Sequence, residues 1–416
     1  MAIEMSKPAC EPQVLRQNNW DEWYDNLLRA FGGAEESAEE RRLWTDLTDL
    51  DRSLGVWEGN RCVGSASSYA FQMTVPGGAL VPTAGVAMVG VAATHRRRGV
   101  LTSMMRRQLD DVRGWGEPLA VLTASETAIY GRFGYTAATF GLSADIDTSR
   151  VLLSVPAGAD TVRLRYAETV ESLAACEKVY AVTVRSRAGM LARQPNWEKA
   201  AVLDPAGDRD GASPLQCVLA ERNGTITGYA RFRVKLNWTA SGHDGQVVLQ
   251  DRAALDPETD AALWRFLFDI DLTTTLKVRG RPLDEAWQHQ VSDIRRCRLQ
   301  VRDSLHVRLV DVRAALEART YQAPVDVIIN VDDAFCPWNA GRWRLNGDSK
   351  GASCSRTTAQ PDLSMSVNEL AAVYLGGVSL TSLAAAGQVR ELRQGALSEA
   401  AVSFGTTAVP WLPHGF

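Results

Sequence analysis

VGVAATHRRRGVLTSMM, residues 89–105, is the stretch on which the reading of this chain turns. Arg96, Arg97 and Arg98 stand just before and at the start of a predicted helix, with Gly99 at its threshold. In a free helix that is the wrong end for cations, since the N-terminal dipole disfavours each by about 0.3–1 kcal/mol. The placement suits a multiply charged anion docked at the turn. Free helix N–H groups and a glycine that lets backbone approach closely form a phosphate cradle, and arginines add charge-assisted bonds to the same oxygens. A solvated basic run at a turn is the competing reading. The context counts against it, because an apolar strand (residues 86–91) leads in and an amphipathic helix leads out. That helix carries Val100, Leu101, Met104, Met105, Leu109 and Val112 at helical spacing, and Gly114 is expected to stop it. The stretch is neither the dinucleotide-binding GxGxxG pattern nor a Walker loop.

Working towards the N-terminus, three strand-like runs (SLGVWEG, RCVGSASSYAFQMTV and LVPTAGVAMVGVAA) are separated by Gly and Pro into a meander. One or two helices rich in Trp and acid precede them, over residues 16–50. Towards the C-terminus come a short buried strand at PLAVLTA and a short helix or turn at ETAIYGRF, and the first unit closes near Asp147. From about residue 160 a similar alternation resumes, with a hairpin turning at Asn223–Gly224 and a polar excursion over residues 203–214. From about residue 300, strands at SLHVRLV, VDVIINV and GRWRLNG precede helices at VNELAAVYLG, LTSLAAAG and VRELRQGALSEAAVSF. That order predicts an α+β layer with helices on one face.

The totals narrow the class. With 416 residues, two or three domains are expected. A formal charge of −4 argues against a nucleic-acid binder, which normally carries a basic surplus, and is compatible with a cationic partner. MAIEMSKPACEPQ has no apolar core or basic leader, so no signal peptide is expected, and no apolar run approaches a membrane span. The seven cysteines are scattered without a CxxC pair, which points to reduced thiols in a cytoplasmic protein and to no metal site. GxSxG and HExxH are absent, so serine-hydrolase and zinc-protease readings have no support.

Arg96-x-x-Gly99 resembles the pyrophosphate motif of the GNAT acetyltransferases. The general pattern prefers Gly or Ala two residues after the glycine, where this chain has Leu101. THRRRGVLTSMM, ASETAIYGRFGY (124–135) and the terminal Phe416 are together similar to the Eis (enhanced intracellular survival) branch, in which Leu is usual there. The resemblance implies tandem GNAT domains, mixed α/β layers with central sheets flanked by helices, and a sterol-carrier-protein-like α+β domain. The expected boundaries are 1–150 for the catalytic domain, 151–300 for a degenerate second one, and 301–416 for a third whose C-terminus enters the active site. It implies acetyl-CoA as donor, with Arg96, Arg97, Arg98, Gly99, Val100 and Leu101 around its phosphates. Backbone N–H groups around Val89 to Val91 would meet the oxyanion, and Ser125 would contact the donor or orient the acid. A homo-oligomer, hexameric in the family, is implied as well, with no nucleic-acid or membrane partner.

Acetyl transfer to an amine needs a base for the ammonium proton, a polarised thioester carbonyl and an acid for the departing thiolate. A Tyr, with a pKa of about 10, suits a thiolate whose pKa resembles that of Cys, about 8.5. The family assigns that role to Tyr130; Tyr135 reads as core. The family also uses the terminal α-carboxylate, here on Phe416, as base. The residues themselves favour a docked tail: in AVPWLPHGF, Pro410 and Pro413 stiffen the chain while Trp411 and Phe416 seek burial. His414 is the alternative base. For the acceptor, Trp20, Trp23, Phe31, Glu35 and Glu36 form an acidic, aromatic set suited to a cationic amine, although a solvated acidic helix face reads equally well. Aminoglycosides are the acceptors the resemblance suggests, with other amine-bearing antibiotics or protein lysines beside them. Thr123 stands where relatives carry His, a departure that bears on acceptor choice. Two other readings remain: a tailoring enzyme remodelling an amine-bearing natural product, and a non-catalytic protein that binds CoA or lipid.

Overall fold

The computed structural model describes residues 11–33, 36–240 and 242–416. Three large sheets and a two-stranded ribbon, Trp238–Thr239 with Gly242–His243, organise them. The first has eight strands, and its central path runs 53–58, 61–74, 80–91, 119–123, 305–309. Its ladders are antiparallel except where Leu80–Val91 meets Leu119–Thr123 in parallel. The helix Val100–Gly114 covers one face, burying Val100, Met104, Met105, Leu109 and Val112 with Ala84, Val86, Ala120 and Leu122 of the strands. Gly64 makes room for it: a Cβ there would stand 2.7 Å from Val100. The helix ends at Gly114, as expected, with Trp115 as its C-cap and Gly116, at φ 76°, completing the turn.

The second sheet has seven strands and includes the expected hairpin, with Asn223 (φ 50°) and Gly224 (φ 76°) at its turn. The third has five, centred on Val325–Asp332 and Gly341–Asp348. Its helices Val367–Tyr374 and Ala396–Phe404 share one continuous core with Phe71, Val121, Val307 and Leu309 of the first sheet. Residues 389–395, expected to open the last helix, instead put a short strand, Arg390–Glu391, against Leu363–Ser364, and Gly395 at φ 89° delays the helix to Ala396.

The sheets do not divide where the sequence suggested. The strand Phe140–Asp147, assigned to the first domain, pairs with Gln300–Asp303 and Thr273–Arg281 in the second sheet. The strand Leu305–Leu309, assigned to the third, lies in the first sheet between Leu119–Thr123 and Thr136–Ala137. Each strand crosses to the neighbouring domain, so boundaries at 150 and 300 separate residues that hydrogen-bond to one another. Patterning marks Leu305–Leu309 as a strand buried on both faces, but does not say which sheet buries it.

Candidate active site

The parallel ladder between Leu80–Val91 and Leu119–Thr123 pairs only Thr83↔Leu119, Ala84↔Ala120 and Gly85↔Val121. Beyond Gly85 the strands part. Leu119–Thr123 stays with Leu305–Leu309 as far as Thr123↔Leu305, while residues 86–91 keep their bonds to Arg61–Thr74. A bulge deepens the gap. The register slips between Ser65↔Gly90 and Ser67↔Ala87, and Met88 adopts φ 54°. Left-handed backbone at a non-glycine residue costs about 1 kcal/mol or more; here the Met88 sulfur accepts contacts from Thr48 Oγ1 (3.7 Å) and Tyr69 Oη (3.8 Å). One edge of residues 86–91, Val89 and Val91 included, therefore faces a cleft without a ladder partner.

At the end of this strand lies the basic turn. His95 is buried, with Nδ1 at 2.8 Å from Thr94 Oγ1 and Nε2 at 3.3 Å from Glu58, which pins the chain just before the arginines. Arg96, Arg97 (φ 63°) and Arg98 are exposed, and among the described residues none has an ion-pair or hydrogen-bond partner. Gly99, at φ 83°, caps the helix without any side chain, and the first bond across the turn is Ser103 N–H to Gly99 O at 2.9 Å. The N–H groups of Val100, Leu101 and Thr102 are thus open to a ligand, as at any uncapped N-terminus. A Cβ on Gly99 would meet nothing within 4 Å, so the approach is clear.

Tyr130 joins two short 3₁₀ turns, Thr127–Ile129 and Gly131–Phe133, beyond the strand that splays away. Its half-buried ring packs with the cluster beneath the helix Val100–Gly114 and lies edge-on to Tyr135, centroids 6.1 Å apart. Burial pushes its phenol up to about 12, so the group holds its proton at neutral pH. Tyr135 is fully buried in the same cluster, as expected of a core residue. Ser125 and Thr123 are exposed at the mouth between strand and turn.

The C-terminal segment is docked. Phe416 packs its ring edge-on to Phe71 (5.3 Å), and a Cβ on Gly85 would stand 3.3 Å from it. Gly85 is the residue at which the parallel strands part, so the terminal ring lies at the head of the cleft. Residues alternate across a strand: Ala84 and Val86 face the helix and Tyr130, and Gly85 faces Phe71 and Phe416. Tyr130 and the chain terminus thus approach the cleft from opposite faces of the sheet.

Models of a GNAT acetyltransferase domain match residues 11–138 and 189–313, and a sterol carrier protein domain matches 312–413. An uncharacterized N-acetyltransferase of Streptomyces coelicolor is 69% identical over 98% of this chain and 99% of its own length. The N-acetyltransferase Eis of Mycobacterium tuberculosis is 31% identical, over 89% of this chain and 91% of that protein. The crystal structure of Eis1 from Mycobacterium abscessus superimposes with a TM-score of 0.83 at 32% identity, covering 98% of this chain and all of that one. The chain belongs to the Eis-type GNAT acetyltransferases.

Such an acetyltransferase takes acetyl-CoA as its cosubstrate, and the turn fits the donor's phosphates. It offers an uncapped helix N-terminus, a clear approach over Gly99 and three unpaired cations. Among the described residues no group of three or more His, Cys, Asp or Glu is arranged to hold a metal ion, and no helix is long and apolar enough to cross a membrane.

The residues expected on the acceptor side of this Eis-type enzyme are divided by the structure. Trp20 and Trp23 are buried in a core with Leu15, Tyr24 and Leu27, and Trp23 Nε1 donates to Leu54 O at 2.8 Å. They therefore do not line an open cleft; their helical spacing serves packing against Arg61–Thr74. Glu36 accepts from Tyr24 Oη, Phe31 is 61% exposed, and Glu35 lies outside the described residues. Much of the acidic face is neutralised internally, since Arg41 pairs with Asp21 and Asp25, and Arg29 with Glu22. The aromatic residues nearest the terminal ring were not singled out in the sequence. Trp197 packs on Phe71 (4.9 Å), Tyr69 (4.7 Å) and Trp44 (6.3 Å), and faces His414 at 6.5 Å. Trp197 comes from the second domain's part of the chain, and no local pattern links it to residues 69–71.

Proposed function

We propose that this enzyme acetylates a primary amine of a cationic small molecule, an aminoglycoside or another amine-bearing antibiotic, by direct transfer. Acetyl-CoA supplies an activated acyl group and a thiolate leaving group. Arg96, Arg97 and Arg98, with the N–H groups that follow Gly99, would hold its phosphates. Backbone N–H groups along residues 89–91 would meet the negative charge that develops on the carbonyl oxygen. Tyr130 gives its proton to the departing sulfur, and its phenol, already protonated at neutral pH, stays so when burial pushes its pKa up to about 12. The Phe416 carboxylate takes the amine's proton as the C–N bond forms. A carboxylate is too weak to deprotonate a free alkylammonium of pKa about 10.4, so the nucleophile is the neutral amine fraction, and the proton passed to the carboxylate is one of its remaining N–H protons, made far more acidic once nitrogen bonds to carbon.

The observation that carries this reading is the terminal ring held against Gly85 and Phe71, across the sheet from Tyr130. It also favours the carboxylate over His414. The His414 Nε2 lies 3.2 Å from Tyr180 Oη and its Nδ1 faces Gly415 O at 3.1 Å, while burial and the nearby Arg193 lower its pKa to about 4. An imidazole so engaged is a poor proton acceptor. Extending the chain by a few residues beyond Phe416 moves the carboxylate away from the cleft. The extended enzyme should lose about 10²-fold or more in kcat, with acetyl-CoA binding retained, whereas an N-terminal extension should be silent. Equal turnover by the two forms excludes the carboxylate as base. Thiol release with a panel of aminoglycosides and other polyamines, read with product mass, identifies the acceptor; a product mass other than that of acetylation points to a tailoring reaction.

A further inference from the structure

The last eight residues, 409–416, do not hold themselves in place; the second domain's part of the chain holds them. Five hydrogen bonds reach the tail from residues 180–284. Asp284 Oδ2 accepts from Val409 N–H at 3.1 Å, and Arg187, paired with Asp284 at 2.7 Å, donates to Val409 O at 2.8 Å. Trp411 N–H donates to Ala188 O at 2.9 Å and its Nε1 to Gly280 O at 2.6 Å, beneath the Arg281 guanidinium. Tyr180 Oη, carrying the Arg193 guanidinium 3.8 Å over its ring, meets His414 Nε2 at 3.2 Å.

The same segment is tied to the strand whose Phe71 receives the terminal ring. Gly189 N–H donates to Thr74 O at 2.8 Å, Thr74 N–H to Met190 O at 2.9 Å, and Leu191–Ala192 pairs with Gln72–Met73. Residues 187–192 therefore lie between strand 61–74 and the tail and set the distance between them. Gly189, at φ 90°, lets the backbones approach: a Cβ there would be 3.0 Å from Trp411 O. A free chain end would instead fray.

We infer that the second domain, whose strand Gly245–Ala254 leads into the helix Pro257–Phe268 through Leu255 and Asp256 with no arginine between, serves the reaction as a clamp on the C-terminal segment. In it Asp284, Arg187 and Tyr180 are positioning residues for the Phe416 carboxylate; this rests on the carboxylate being the base. The clamp acts on the acceptor half of the reaction, because none of its residues touches the donor turn.

The test uses the full-length enzyme and two readouts: release of Phe416 by a carboxypeptidase under native conditions, and kcat and KM for acetyl-CoA. Asp284→Ala removes the acceptor for both Arg187 and Val409. It should speed Phe416 release and lower kcat, each by about tenfold as expected for losing bonds to a charged group, with KM for acetyl-CoA unchanged. Asp284→Asn, which keeps an oxygen for Val409 N–H, should recover part of both. Tyr180→Phe, which deletes a single hydroxyl, should act in the same direction without threatening the fold. Asp160→Ala, which breaks the exposed pair with Arg265 in the same domain, should change neither. Unchanged Phe416 release in both Asp284→Ala and Tyr180→Phe overturns the clamp. Faster release with undiminished kcat leaves the clamp standing and removes the carboxylate from catalysis.

Discussion

At the scale of single residues, Tyr130 and Tyr135 show how neighbours of one type come to different uses. Both sit in the cluster under the helix Val100–Gly114, but only Tyr130 keeps part of its surface, at the turn beside the cleft. Tyr130→Phe should lower kcat by about 10²–10⁴-fold while acetyl-CoA affinity, measured by calorimetry, stays within twofold or so. Normal turnover in that variant makes Tyr130 a packing residue. Burial raises its pKa, so the donating form is lost only as pH rises through about 12. His414 titrates in the opposite sense. Its folded pKa is lowered from 6.5 to about 4, so the unfolded chain binds the extra proton between those values and stability falls as pH drops through that window. The wild-type melting temperature should therefore fall further between pH 6.5 and about 4 than that of His414→Gln, and equal falls in the two proteins exclude the linkage.

At the scale of elements, the cleft is made by a strand that stops pairing and a helix that starts uncapped. The arginine turn was legible because it breaks an electrostatic preference, and such a breach asks for a counter-charge. Arg97→Ala should raise KM for acetyl-CoA several-fold while kcat at saturation changes little, since a phosphate contact binds ground state and transition state alike; an unchanged KM counts against the cradle. The bulge at Met88 left no such mark, because nothing in GVAMVGV distinguishes a left-handed methionine from a strand residue. Trp20 and Trp23 were misread for a related reason. Aromatic residues at helical spacing have the same pattern whether they face a cleft or a core, and only the packing of that helix on strand 61–74 separates the two.

For the whole molecule, the domains are stitched together. The strand Leu305–Leu309 lies in the first sheet and carries Arg308, fully buried, whose Nη2 meets Asp333 at 2.6 Å in the loop between the third sheet's strands Val325–Asp332 and Gly341–Asp348. Gly134, at φ 87°, leaves space that a Cβ would take from Arg308, standing 2.3 Å from its Nη1. Asp333→Ala leaves that guanidinium without its counter-charge and should cost about 3–5 kcal/mol, read by denaturant unfolding. A loss under about 1 kcal/mol shows that the pair does not weld the domains.

The chain's own pattern was enough to determine the strand–turn–helix that carries the arginines, the tyrosine beyond it, the hairpin at Asn223–Gly224 and the wish of the last residues to be buried. Each is set by forces between residues close in sequence: backbone propensity, turn chemistry, helix electrostatics and the hydrophobicity of a short run. Tertiary structure alone decided which sheet received Phe140–Asp147 and Leu305–Leu309, that Trp197 would stand beside Phe71, and that residues 180–284 would grip the chain terminus. Those outcomes depend on ladders and contacts between segments far apart in sequence. A buried strand or a buried tryptophan carries the same local signal whichever partner buries it.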